Sequence, residues 1–348
     1  MIDPHVHCRG WNESHKETVA HALFVAGQAG VSAIFDMPNT SPPLISGELV
    51  KKRIEEAKRQ NRKVFYGCYM GLTADPGQIK EAVRIHKEYF PSVVGFKMYA
   101  GHSVGSLALQ TEEQQNLVYE TLSELNYRGV LAVHCEKEKF MKPELWDPLH
   151  PESHSDARPP QAESESIKDQ IEFAAEAGFG GTLHIAHISH PDSVALVNTE
   201  RKKQSFAISC GVTPHHCLLS NDLMKNSKGL LYKVNPPLRT VNDAHTMIEY
   251  LRKGIIDVVE TDHAPHTLQE KLNPPYMSGF PGLPFFPHFL NLLQQKGFSE
   301  QDITRCTHSR TCELFQFDVP NTSLQINYDL HREYEVDVYE PVRTKLHT

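Results

Sequence analysis

Residues 32–70 read SAIFDMPNTSPPLISGELVKKRIEEAKRQNRKVFYGCYM and hold one complete unit of the pattern that decides the fold. The unit opens on a short apolar run, SAIFDM (32–37), and closes on another, KVFYGCYM (63–70). Between them lies SGELVKKRIEEAKRQ (46–60), where Leu49, Ile54 and Ala57 fall on one helical face and charges cover the rest. Strand, amphipathic helix, strand is the β-α-β signature.

The alternation continues in both directions. Further strand-like runs are IDPHVH (2–7), VVGFKMY (93–99), GVLAVHC (129–135), TLHIAHI (182–188), SFAISC (205–210) and IDVVETD (256–262). Helical stretches fill the gaps near 14–29, 76–90, 111–126, 161–177, 191–203 and 241–253, with a last one near 285–296. Eight strands interleaved with eight helices predict an α/β fold, a (β/α)8 TIM barrel. A doubly wound open sheet is the alternative, but no Gly-x-Gly-x-x-Gly follows the first strand. The barrel is expected over 1–317, with 318–348 as a short tail packed on it. Within that tail EYEVDVYEP (333–341) reads as an isolated strand or hairpin. The long stretches 136–160 and 263–284 read as loops on the catalytic side of the barrel.

Composition narrows the functional classes. No apolar run in the 348 residues reaches the ~18 needed to cross a membrane. No signal peptide is recognisable, so a cytoplasmic location is expected. A net charge of -8 argues against a nucleic-acid surface. Seven cysteines without a Cys-x-x-Cys pair read as reduced thiols.

Histidine is over-used, at 21 residues. Side chains at the C-terminal ends of barrel strands converge on one pocket, and the candidate strand ends carry His5 and His7, Asn39, Lys97, His134, His187 and Asp262. His5 and His7 lie two apart, so both imidazoles can face one metal. Asp262 ends the last strand, which neighbours the first when a barrel closes. His184 and His187 are three apart and should face opposite sides, with His187 in the pocket and His184 outward or packed behind it. His190, His215 and His216 read as loop or hydrogen-bonding residues. Lys97 sits in an apolar strand, where an unpaired ammonium is costly. A neutral amine there could react with CO2, and the resulting carbamate has two oxygens, one for each of two ions. A salt-bridged lysine is the plainer alternative.

The motifs DPHVHCR, DMPNT, GFKMYAG, VHCE, RPPQAES, HIAHIS, TPHH, KVNPPLR and TDHAPHT occur in this order from residue 3 to residue 267. Together they resemble the amidohydrolase superfamily and, within it, the dihydroorotase family. The resemblance implies two divalent ions, with zinc as the expected metal. His5, His7 and Asp262 match the ligands of the first ion and His134 and His187 those of the second, with Lys97, as a carbamate, between them. Asp262 is also implied as the group that moves the proton while water, activated by the ions, opens a cyclic amide. Arg9, Asn39 and His266 match residues that hold the substrate carboxylate. Asn235, Ser278 and Gly279 match residues beside the ring. The implied reaction interconverts dihydroorotate and N-carbamoyl-L-aspartate in pyrimidine synthesis. Expected partners are that small molecule, a second copy in a homodimer and, for a scaffold protein, aspartate transcarbamoylase; no nucleic acid or membrane partner is expected.

The chain departs from the family pattern in three places. It begins at the first barrel strand, so the accessory β-sandwich of relatives should be absent or vestigial. Pro284 stands where relatives often have a glutamate, and Gly10 where an acidic residue is common. A hydantoinase- or allantoinase-like cyclic amidase and a noncatalytic scaffold subunit are the alternatives. Arg9 speaks for a carboxylate-bearing substrate, and the intact ligand set speaks against a decayed site.

Overall fold

The computed structural model describes residues 1–101, 107–319 and 326–344. Among these described residues nine parallel strands run in chain order: β1 Ile2–Val6, β2 Ala33–Asp36, β3 Phe65–Gly71, β4 Val93–Ala100, β5 Ala108–Leu109, β6 Val130–Cys135, β7 Thr182–Ile185, β8 Ala207–Val212 and β9 Val258–Val259. β5 is a two-residue appendage on β4. The other eight pair in the order β1-β2-β3-β4-β6-β7-β8-β9. The ring closes where Val6 bridges His263 and the His7 amide donates to the His263 carbonyl at 2.7 Å. The fold is therefore the expected eight-stranded barrel, and no second sheet accompanies it among the described residues.

The helices stand where the periodicity placed them. In the 32–70 unit, Gly47–Arg59 is helical, and Ser46 caps its first turn by accepting from the Leu49 amide. Val50, Ile54 and Ala57 are buried against the sheet. The helix also buries Arg53 completely, and its guanidinium pairs with Asp36 at 2.8 Å. Asp36 accepts in turn from the Cys8 amide at 2.8 Å, and Arg53 donates to the Arg9 carbonyl at 2.8 Å. One ion pair thus holds the turn that follows β1. Arg53→Ala would leave a buried carboxylate unpaired. We expect it to lower unfolding stability by roughly 3 kcal/mol or more, read from the urea midpoint.

The barrel interior and the strand–helix layer form two separate cores. Ile2, Ala33, Phe35, Val94, Val130 and Val258 point inward, and the ring is plugged below by Phe315, whose ring lies 4.9 Å from Phe35. Two irregularities reset which residues face inward above this floor. β1 carries a register shift between Asp3 and Val6, and β4 has one extra residue, Val94, opposite β3. Bulges of this kind re-aim side chains. After them Val6, Phe96 and Met98 pack outward, and His5, His7 and Tyr99 line the pocket inside. Gly95 sits at the β4 irregularity because a Cβ there would lie 2.6 Å from the Val130 carbonyl oxygen of β6.

The tail corrects one expectation. Residues 333–341 form no strand; a 3-10 turn spans Leu330–Glu333 and a short helix Glu340–Arg343. Val336, Val338 and Tyr339 are buried nonetheless. A closed ring offers no free edge to pair with, so they pack by side chain alone. Tyr339 stacks on Phe285 at 3.9 Å, and the Tyr334 hydroxyl donates to Glu17 at 2.6 Å. Residues 320–325 and 345–348 of the expected tail lie outside the described residues. The stretches 136–160 and 263–284, expected as loops, carry short helices at Ser153–Ala157 and Leu268–Leu272. Among the described residues no helix is long and apolar enough to cross a membrane.

Candidate active site

Above the interior core the barrel carries polar side chains. The ring nitrogens of His5 and His7 and a carboxylate oxygen of Asp262 all lie within 4.8 Å of one another, and all three residues are buried. His7 Nε2 is 3.0 Å and His5 Nε2 3.5 Å from Asp262 Oδ1. His7 Nδ1 is 2.7 Å from Asn39 Oδ1. An amide oxygen only accepts, so Nδ1 carries a proton, and Nε2 is the nitrogen that faces Asp262. Asp262 itself has a left-handed backbone, φ 48°, which turns it back over the ring.

A second group faces the first. His134 Nδ1 lies 3.3 Å from His187 Nε2, and the His187 ring centroid is 4.9 Å from that of His5. His134 Nε2 is backed by Glu136 at 3.0 Å, and Glu136 pairs with Arg158. Lys97 rises beside these groups, fully buried, and its Nζ has no hydrogen-bond partner. The same holds for His187 Nδ1.

Electrostatics separates the groups by charge state. Burial pushes Lys97 down to about 8 against the pull of Glu260 and Asp262. Burial, then Lys97, lower His5 to about 4, and burial with Lys97 and His134 takes His187 well below its ordinary value. Burial alone would raise Asp262, but the His7 hydrogen bond and the His5 and His7 charges outweigh it and hold the carboxyl far below the ordinary range. The site therefore offers neutral imidazoles at His5 and His187 and an ionised carboxylate at Asp262, the state in which such groups bind metal.

The pocket is lined by His5, His7, Arg9, Asn39, His134, His187, Asn235, Asp262, Ser278 and Gly279, all singled out in the sequence. Lys97 lies beneath this layer. His266 is placed differently: it stands behind Arg9, its Nε2 3.0 Å from Nη2, and holds the guanidinium rather than lining the pocket. Arg9 Nε also donates to the Pro265 carbonyl at 3.3 Å. His190 caps the helix Pro191–Glu200, and His216 hydrogen-bonds Thr213 and the Pro236 carbonyl.

Three participants escaped the sequence. Tyr99 lines the pocket, and its buried hydroxyl has no hydrogen-bond partner. Glu136 backs His134, and Glu260 lies under the cluster. Tyr99 could have been found by its spacing of two from Lys97. His184 is packed behind the pocket, one of the two places expected for it, 3.4 Å from Glu260. It faces the barrel interior like His187, so the argument that the two face opposite sides does not hold. β7 ends at Ile185, and His187 reaches the pocket through a left-handed backbone, φ 39°, so the count of three no longer sets the side.

A closed parallel barrel with such a cluster at its strand ends defines an amidohydrolase-type barrel. The comparisons agree. The L-hydantoinase (dihydropyrimidinase) of Arthrobacter aurescens superposes with a TM-score of 0.81 at 22% identity, over 93% of this chain and 72% of that one. The dihydroorotase of Halobacterium salinarum is 30% identical over 318 residues, 90% of this chain and 71% of that protein. The dihydroorotase of Aeropyrum pernix is 31% identical over 305 residues, 83% of this chain. The match spans 63% of the Aeropyrum protein, so this chain covers less than two thirds of that relative. No family model matches. The chain belongs to the dihydroorotase family.

Proposed function

We propose that the protein is a dihydroorotase holding two divalent ions. The observation that carries this is the conjunction of two imidazole groups facing each other around a buried lysine with an arginine on the same pocket. His5, His7 and Asp262 would hold one ion, and His134 and His187 the other. Lys97, as a carbamate, would bridge them. The unpartnered Lys97 Nζ supports this, because buried polar atoms without partners are rare unless a ligand completes them. Imidazole and carboxylate donors suit zinc. When bound, the ions would supply Lewis acidity and lower the pKa of a water.

The chain's own residues then have distinct tasks. Asp262, kept ionised by His7 and His5, accepts a proton from the attacking water and delivers it to the departing ring nitrogen. Arg9, held by His266 and the Pro265 carbonyl, presents its guanidinium to the substrate carboxylate. Asn39 fixes the His7 tautomer with its oxygen, leaving its amide N–H groups for substrate. Asn235 is oriented by His154 Nε2 at 2.9 Å and faces the ring together with Ser278 and Gly279. Ring closure, the reverse reaction, would serve pyrimidine synthesis in the cytoplasm, in a homodimer able to associate with aspartate transcarbamoylase.

Metal analysis and substrate profiling test this together. We expect two ions per chain and turnover of dihydroorotate exceeding that of hydantoin by roughly 10³-fold, because a site built to bind a charged group rejects analogues lacking it. Faster turnover of hydantoin would assign the protein to the hydantoinase-like alternative. Metal binding without any turnover would assign it to a scaffold role.

A further inference from the structure

We propose that Glu260 is a positioning residue that ties both halves of the metal centre to one carboxylate. It follows β9, is 1% exposed, and stands among three histidines from two other parts of the barrel. Its Oε2 is hydrogen-bonded to His184 Nε2 at 3.4 Å and stands 3.5 Å from His5 Nδ1, an electrostatic contact outside hydrogen-bond geometry. Its Oε1 accepts the backbone N–H of His187. His184 is fixed from its other side by Ser209 Oγ at 2.9 Å.

Each contact has a consequence for the ligands. A carboxylate at His5 Nδ1 favours the proton there, which leaves the Nε2 lone pair free on the side of Asp262. A carboxylate on the His187 amide stabilises the left-handed turn that brings that imidazole inward. His5 and His187 belong to opposite ions, so one side chain orients a ligand of each. Partners behind metal-binding histidines act in this way on orientation and basicity. The neighbouring strand makes room for this arrangement. Gly211 of β8 has no side chain, and a Cβ there would lie 2.4 Å from Glu260 Oε1 and 2.5 Å from its carboxyl carbon. Gly211 and Glu260 therefore form a matched pair, in which one position supplies the carboxylate and the other the space.

The inference rests on the metal assignment proposed above. Chelator-stripped protein is titrated with Co2+ and its visible spectrum followed, and Zn2+ affinity is measured by chelator competition. Glu260→Gln keeps the shape and one acceptor oxygen but loses the charge. We expect its affinity to fall by about 10- to 100-fold, its Co2+ bands to shift, and kcat at saturating metal to fall with little change in KM. A folded Glu260→Gln with wild-type affinity and spectrum overturns the proposal. Should that variant not fold, Glu260→Ala combined with Gly211→Asp carries the test, because it returns a carboxylate to the same space from the next strand. Recovery of metal binding above Glu260→Ala alone is the expected result; no recovery overturns the proposal. A wild-type protein that takes up no metal would instead overturn the metal assignment, so the two failures are distinct.

Discussion

Lys97→Ala is expected to lose its metal and to retain only a trace of dihydroorotate turnover. The amine sits fully buried in β4 with no hydrogen-bond partner, and burial brings it down to about 8. A permanent cation in that place would repel ions from a site lined by imidazoles. A carbamate reverses the sign of the charge and adds two oxygens, which is the chemistry the cluster lacks. On the proposed assignment, removing it would take away one ligand from each ion. If the ions contribute several kcal/mol of transition-state stabilisation, their loss costs about 10³-fold or more in kcat/KM. Steady-state assay with metal analysis of the same sample reads both effects. Wild type prepared with 13C-labelled bicarbonate should show a carbamate carbon that Lys97→Ala lacks. Full activity with two ions bound in Lys97→Ala would remove the lysine from the mechanism and favour a plain structural amine.

The sequence pattern carried most of the architecture, because strand and helix periods leave their mark in local composition. Residues 32–70 alone specify a β-α-β unit, and Ser46, Leu49, Ile54 and Ala57 mark the helix from end to face. The candidate site was legible where alternation along a strand holds, as for His134, two residues after the inward Ala132. It was not legible where a residue reaches the pocket by departing from the strand. The register shifts in β1 and β4 set which side His5 and Lys97 face, and they arise from pairing with β2 and β3. Simple alternation from the inward Ile2 and Val94 would have sent both outward. The positive φ at His187 and Asp262 likewise leaves no mark in the hydrophobic pattern. Glu260 and Arg53 show the same limit from another side. Each reads as an ordinary charge in sequence, and each matters through partners far along the chain: His5 for Glu260, Asp36 and the Arg9 carbonyl for Arg53.

Arg9→Gln is expected to separate substrate recognition from chemistry. Among the described residues the guanidinium bonds to the Pro265 carbonyl and to His266, and not to the His5, His7 and Asp262 group. The ions should therefore stay in place, and metal analysis of the variant should match wild type. A substrate carboxylate gripped by two charge-assisted hydrogen bonds, at roughly 2 kcal/mol each, loses about 4 kcal/mol in the variant, or nearly 10³-fold in kcat/KM. Hydantoin and dihydrouracil carry no carboxylate, so their slow turnover should change little, and the preference for dihydroorotate should collapse towards unity. Arg9→Lys should restore only part of it, because an ammonium offers no planar fork. Its stem is also not cut for the position that His266 and Pro265 hold. Equal losses on charged and neutral rings would show that Arg9 acts on the catalytic cluster and not on the carboxylate. In that event the left-handed turn at Arg9, φ 46°, pinned by Arg53 through the Arg9 carbonyl, would be the place to look, since it follows His7 by two residues.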